Sequence, residues 1–140
     1  MLFHFFRRHF FTTNNGVSMA NIINWFELPV TNIERASKFY SEVLGGELKH
    51  MEMMGTKMAF LPMEGQGVGG SLCQGDDYKP TSGGAKIYLN GGEDLNIPLA
   101  RVEKAGGKVI MPKTKINDEI GFMAFFVDTE GNNMAFHSPK

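Results

Sequence analysis

The stretch Asn24 to Gly46, NWFELPVTNIERASKFYSEVLGG, constrains the fold most, because strand, cap, helix and stop follow one another in it without a gap. Phe26, Leu28 and Val30 alternate with Trp25, Glu27 and Pro29, the period-two pattern of a strand with one apolar and one mixed face. Thr31 offers an oxygen to a helix start, and Glu34 can reach back to the cap's amide, completing a capping box. Ile33, Ala36, Tyr40, Val43 and Leu44 then fall at helical spacing, with Glu34, Arg35, Lys38 and Glu42 on the opposite side. Gly45 and Gly46 end the helix, since glycine takes the left-handed conformation of a helix terminus without a side-chain clash.

A weaker copy begins at Lys86. Ala85, Ile87 and Leu89 alternate with Lys86 and Tyr88, Asn90-Gly91-Gly92 turns, and Leu95, Leu99 and Val102 mark a helix stripe that Gly106-Gly107 stops. Pro98 is tolerated only near that helix's start. Short strands follow each helix: Glu47 to Met53, Lys57 to Met63 and Val68 to Gln74 in the first unit, and Lys108 to Lys113, Phe122 to Val127 and Asn133 to His137 in the second. The last two form a hairpin about Asp128-Thr129-Glu130-Gly131-Asn132. Between the units, GDDYKPTSGG (Gly75 to Gly84) has turn formers and no apolar pattern, so it reads as an exposed linker.

The expectation is an α+β chain of two tandem βαβββ modules, about residues 22–75 and 84–138, in one domain over 19–140. At 140 residues the chain is long enough for one filled core and too short for two ordinary domains. A formal charge of -1, with neither sign in a block, gives no electrostatic case for nucleic acid or an anionic membrane surface. No apolar run approaches the roughly 18 to 20 residues that span a bilayer. One cysteine, Cys73, and ten methionines point to a reducing, cytoplasmic setting.

The first eighteen residues, MLFHFFRRHFFTTNNGVS, have no acidic group and five phenylalanines split by Arg7, Arg8 and His9. That order is wrong for secretion, which needs a basic start and then an uninterrupted apolar run. The composition also fits a mitochondrial presequence, but the preferred expectation is a leader outside the core, with translation starting at Met19. Gly65 to Gly70 is followed by strand rather than helix residues and fails as a dinucleotide loop. Ser71 has no nucleophile-elbow context, Cys73 has no second ligand at zinc spacing, and His4, His9 and His50 are incidental.

FELPVTNIERASKFYSEVLGG, LARVEKAGGKVIMPKT and GFMAFFVDTEGNNMAFHS, in that order and spacing, resemble the vicinal oxygen chelate superfamily. That group includes glyoxalase I, extradiol dioxygenases, and the bleomycin and fosfomycin resistance proteins. The resemblance covers about Ile22 to the C-terminus. It implies paired βαβββ modules in a curled mixed sheet, a cup for a small molecule, commonly a divalent metal, and a homodimer that also covers open sheet edges.

The usual metal ligands of the family do not carry over. The first-strand histidine position is Trp25, the matching position before Leu89 falls on Gly84, and the last-strand glutamate position is Ala135. The fourth, near Gly70 to Cys73, offers only Cys73 as a strong ligand. No metal or other cofactor is therefore predicted.

Strand alternation instead sends Trp25 and Glu27, with Lys86 and Tyr88, to the concave side, and His137 to the corresponding side of the last strand. Glu27 and His137 would suit proton transfer if they converge, with Trp25, Lys86 and Tyr88 as ligand-binding walls. The plainer alternatives are strand residues hydrogen-bonded for structure and a Lys86–Glu27 salt bridge. Two functions follow: a glyoxalase-like lyase or isomerase using acid–base chemistry on a small metabolite, or a non-catalytic small-molecule or drug-sequestering protein of bleomycin-resistance type.

Overall fold

The computed structural model describes residues 21–140. The leader expected over residues 1–18 and the start at Met19 lie outside the described residues. The first module comprises β1 (Trp25–Pro29), α1 (Ile33–Leu44), β2 (Lys49–Met53), β3 (Thr56–Phe60) and β4 (Gly69–Gln74). The second comprises β5 (Ile87–Asn90), α2 (Asn96–Val102), β6 (Lys108–Asn117), β7 (Gly121–Val127) and β8 (Asn133–Ser138). This is the expected α+β pair of βαβββ modules. Each forms its own mixed four-stranded sheet, ordered β1-β4-β3-β2 and β5-β8-β7-β6, and the two sheets do not close into one. In each, the strand before the helix lies parallel to the module's last strand, and the remaining pairs are antiparallel.

Helix α1 is capped by Asn32 rather than Thr31: the Asn32 side chain accepts from the Arg35 amide at 2.9 Å. The Thr31 and Asn32 amides both donate to Glu130 Oε1 at 2.8 Å, so Glu130 takes the amide-accepting place expected of Glu34. The glycine stop is as expected, with Gly45 at φ 74° and its amide donating to Ser41 O. Helix α2 ends at Val102, a turn before the glycines, and the chain reverses at Gly106 (φ 106°). Strand β6 runs on to Asn117, with register shifts against β7 on both sides of Pro112. A proline cannot donate to a ladder, and β6 lies at the sheet edge, where bulges absorb it.

The faces of both sheets that meet the helices share one core. Leu28 and Val30, Leu72, Leu89, Phe126 and Phe136 are buried there with Ile33, Ala36, Tyr40 and Val43 of α1 and Leu99 and Val102 of α2. Phe39, absent from the predicted stripe, is its bridge: its ring lies 4.9 Å from Tyr40 and 6.3 Å from Phe126 of the other module. Gly107 lies so close that a Cβ there would meet the Phe39 ring at 2.8 Å.

The hairpin Asp128 to Asn132 locks the modules together. Glu130, its side chain fully buried, accepts from the Thr31 and Asn32 amides, each at 2.8 Å, and from both Nε and Nη2 of Arg35. An anion against the first amides of a helix is favourable on dipole grounds as well. Tyr40 donates to Asp128 Oδ2 at 2.7 Å, and Asn132 Nδ2 donates to Pro29 O at 2.8 Å. Burial works to raise the Glu130 pKa, but Arg35, the two amides and the Thr129 hydroxyl outweigh it and hold the carboxyl below its ordinary range.

Candidate binding site

Hydrogen bonding fixes how the two modules correspond. Pro29 pairs with Cys73 and Val30 N donates to Cys73 O; Asn90 pairs with His137 and Gly91 N donates to His137 O. Gln74 and Ser138, the last residues of β4 and β8, then accept from the amides of Ile33 and Leu95 at the two helix starts. Trp25 therefore corresponds to Lys86, Glu27 to Tyr88, Ser71 to Ala135, and Cys73 to His137. This corrects the second-module metal position from Gly84 to Lys86 and settles the fourth on Ser71. Trp25, Ser71, Lys86 and Ala135 supply one weak oxygen donor between them. Among the described residues no three His, Cys, Asp or Glu side chains are grouped to hold a metal. The residues present do not fit a catalytic divalent ion at that position.

Strand alternation turns the other face of each sheet away from the shared core. On the first sheet this face carries Trp25 and Glu27 of β1, with Met51, Met58, Phe60, Ser71 and Cys73 in register across β2, β3 and β4. Trp25 is 43% exposed and its ring lies 5.8 Å from Phe60. Met51 on the far side is also exposed. The surface is aromatic and thioether-rich and adaptable in shape.

At its polar end Glu27 is held from both sides. Tyr78 donates to Oε1 at 2.8 Å, and the buried Cys73 thiol donates to Oε2 at 3.2 Å, with Ser71 Oγ 3.4 Å from the same sulfur. The hydrogen bond to Glu27, with some desolvation, pushes the Tyr78 phenol up to about 12. Burial pushes the Cys73 thiol up, and the Glu27 carboxylate adds to this against the opposing Ser71 hydrogen bond. Cys73 is thus kept protonated, a donor rather than a nucleophile.

On the second sheet the corresponding face carries Lys86, Tyr88 and His137. Lys86 Nζ sits over the Phe125 ring at 3.6 Å, Tyr88 meets the same ring edge-on at 6.2 Å, and His137 Nε2 lies 2.6 Å from Ile120 O. Tyr88 is 49% exposed. Glu27 and His137, expected as a proton-transfer pair, thus lie on different sheets with different partners. Among the described residues no hydrogen bond, ion pair or ring contact joins Glu27 to Lys86, Tyr88 or His137. In place of the Lys86–Glu27 salt bridge weighed as an alternative, Lys86 makes a cation–π contact with Phe125. Tyr78 is the residue that sequence reasoning missed; its only signal was a lone aromatic in the polar linker GDDYKPTSGG.

Residues 22–136 match the model of the Glyoxalase/Bleomycin resistance protein/Dioxygenase superfamily. A glyoxylase-like domain-containing protein of Didymella fabae is 32% identical over 121 residues, covering 81% of this chain and 90% of that protein. Among solved structures, TnmS3, an antibiotic binding protein from Streptomyces sp. CB03234, is 26% identical with a TM-score of 0.62, covering 86% of this chain and 97% of its own. The trypanothione-dependent glyoxalase I of Leishmania major shares the fold at 22% identity and a TM-score of 0.60, over 85% of this chain and 87% of its own.

Proposed function

We propose that this chain, which belongs to the glyoxalase/bleomycin resistance protein/dioxygenase superfamily, binds a small aromatic or amphipathic molecule against the outward face of its first sheet. The observation that carries this reading is the half-exposed Trp25 beside Phe60, with the Glu27 carboxylate held at one end by Tyr78 and Cys73. Large exposed aromatic surface next to an oriented polar group is what a small-molecule site requires. The likeness to the antibiotic binding protein TnmS3 supports sequestration over turnover.

Closure comes, in this proposal, from a second copy. A face open to solvent buries little of a ligand, and the aromatic face of the second sheet, with Tyr88, Phe125 and Lys86, is open in the same way. A homodimer that sets the first face of one copy against the second face of its partner encloses the ligand and covers both apolar surfaces. The reducing, cytoplasmic setting read from Cys73 and the methionines is part of the proposal. Among the described residues no helix is long and apolar enough to cross a membrane.

The test is a thermal-shift screen of aromatic metabolites and antibiotics on the full chain, followed by binding and turnover measurements on each hit. Saturable binding without turnover, lost in Trp25→Ala, supports the proposal. Turnover that needs both Glu27 and His137 would restore the acid–base lyase or isomerase reading.

A further inference from the structure

We infer that the face carrying Trp25 selects ligands that join a planar apolar body to a cationic nitrogen, such as a primary amine, an amidine or a quaternary ammonium. This rests on the binding reading above and adds the ligand's charge to it. Glu27 is the anion of that face, and both groups bonded to it are neutral donors, a phenol and a thiol. The three ion pairs among the described residues, Arg35–Glu130, Lys113–Asp94 and Lys115–Asp118, leave it out.

Register shows why no cation of this sheet reaches it. Glu27 pairs with Ser71, Ser71 with Phe60 and Phe60 with Lys49, so the row runs from an acid at one edge strand to a base at the other. Three strand spacings of about 4.8 Å put Lys49 roughly 14 Å from Glu27, with an aromatic ring between. That is beyond ion-pair contact and longer than the screening length of about 8 Å at physiological salt.

The carboxylate is also prepared for a donor. Each carboxylate oxygen has two lone-pair directions and each here uses one, so acceptor capacity remains on both. Tyr78 and Cys73 fix the group's orientation, which lowers the ordering cost when a ligand arrives. Trp25, two residues earlier on the same side of β1, supplies the flat surface, and an indole face itself attracts a nitrogen cation. A neutral donor would give Glu27 a hydrogen bond without the charge, and an anionic ligand or one with no donor would desolvate it without giving it a partner, which opposes binding.

The chain contains one tryptophan, so its indole N–H gives a single assigned NMR cross-peak in the site. Three probes with one skeleton are titrated against the full chain at neutral pH: 2-naphthylmethylamine, 2-naphthylmethanol and 2-naphthoate. The amine is expected to bind about tenfold or more tighter than the alcohol, with the carboxylate weakest, as a charge-assisted hydrogen bond implies. Glu27→Gln should bring the amine down to the level of the alcohol. Equal affinities for amine and alcohol, or a preference for the amine that survives in Glu27→Gln, would overturn the inference and leave the binding reading standing. If no probe moved the Trp25 signal, both would fall.

Discussion

The Tyr78 hydroxyl lies 2.8 Å from Glu27 Oε1, although 51 residues separate the two. The contact ties the inter-module linker to the first sheet and is the reason, ahead of desolvation, that the phenol is pushed up to about 12. A raised pKa means that the folded chain holds this proton more tightly than the unfolded one. Its contribution to stability is complete below the ordinary tyrosine value of about 10 and is lost as pH rises through the folded value. Tyrosinate absorbance should show Tyr78 titrating near 12 in the wild type. In Glu27→Gln it should move down toward about 10, and an unmoved titration would mean that Glu27 is not its partner.

Glu130 and Arg35 make the opposite linkage. The Glu130 carboxyl is held low, so its contribution is present above the unfolded value of about 4.3 and disappears as pH falls through the folded one. Glu130→Ala should cost about 2 to 4 kcal/mol at neutral pH, because two helix amides and Arg35 lose their acceptor; half-exposed Arg35 keeps the figure below that of a fully buried pair. Urea denaturation at neutral pH and at about pH 2, well below the ordinary carboxylate range, measures both effects. A deficit of the same size at the two pH values would contradict the ionic account.

Tyr40→Phe removes one oxygen from the core and leaves Asp128 Oδ2 short of a donor. Asn132 Nδ2 also reaches that oxygen at 3.1 Å, so the deficit is partial, and a cost of about 1 to 3 kcal/mol is expected in the same denaturation assay. Because the hairpin carrying Asp128 caps α1 of the other module, hydrogen exchange in the first turn of α1 should rise in this variant. Unchanged exchange there would separate the Tyr40 contact from the cap.

The metal position is tested by elemental analysis after purification without chelator. Trp25, Ser71, Lys86 and Ala135 should leave zinc, nickel and iron well below one equivalent per chain. Near-stoichiometric metal lost in Cys73→Ser or Glu27→Gln would place a site where none is expected.

The module pattern was legible because it is local. Period-two alternation before a cap, a helical stripe and a double glycine can each be read within a few residues, and they marked β1, α1 and β5 in the right places. What the sequence hid depends on partners far along the chain. The capping box was read one residue early, on Thr31 with Glu34, and the acceptor of the Thr31 and Asn32 amides is Glu130, 99 and 98 residues away. The second-module metal position was misplaced by two residues because the strand-end Val30 has a glycine, Gly91, as its counterpart, and counting back from the apolar Leu89 gave Gly84 instead of Lys86. That Trp25 shares a face of its strand with Glu27, and Lys86 with Tyr88, followed from alternation, which also led to one concave side for all four. Their division between two sheets did not, because alternation gives the side of a strand and says nothing of how modules meet. Tyr78 carries no periodic signal at all, and only the folded linker brings it to Glu27.

The central claim is that a small molecule is held on the Trp25 face, and the most direct measurement follows the Trp25 indole resonance while the full chain is titrated with the best hit of the thermal-shift screen. The account predicts a saturable shift with the same dissociation constant as calorimetry. It also predicts that affinity falls at least about tenfold in Trp25→Ala while the melting temperature of the unliganded chain is nearly kept, since Trp25 lies outside the shared core. A hit that stabilises the protein and binds by calorimetry, yet leaves the Trp25 resonance in place and binds Trp25→Ala as well as wild type, would contradict it.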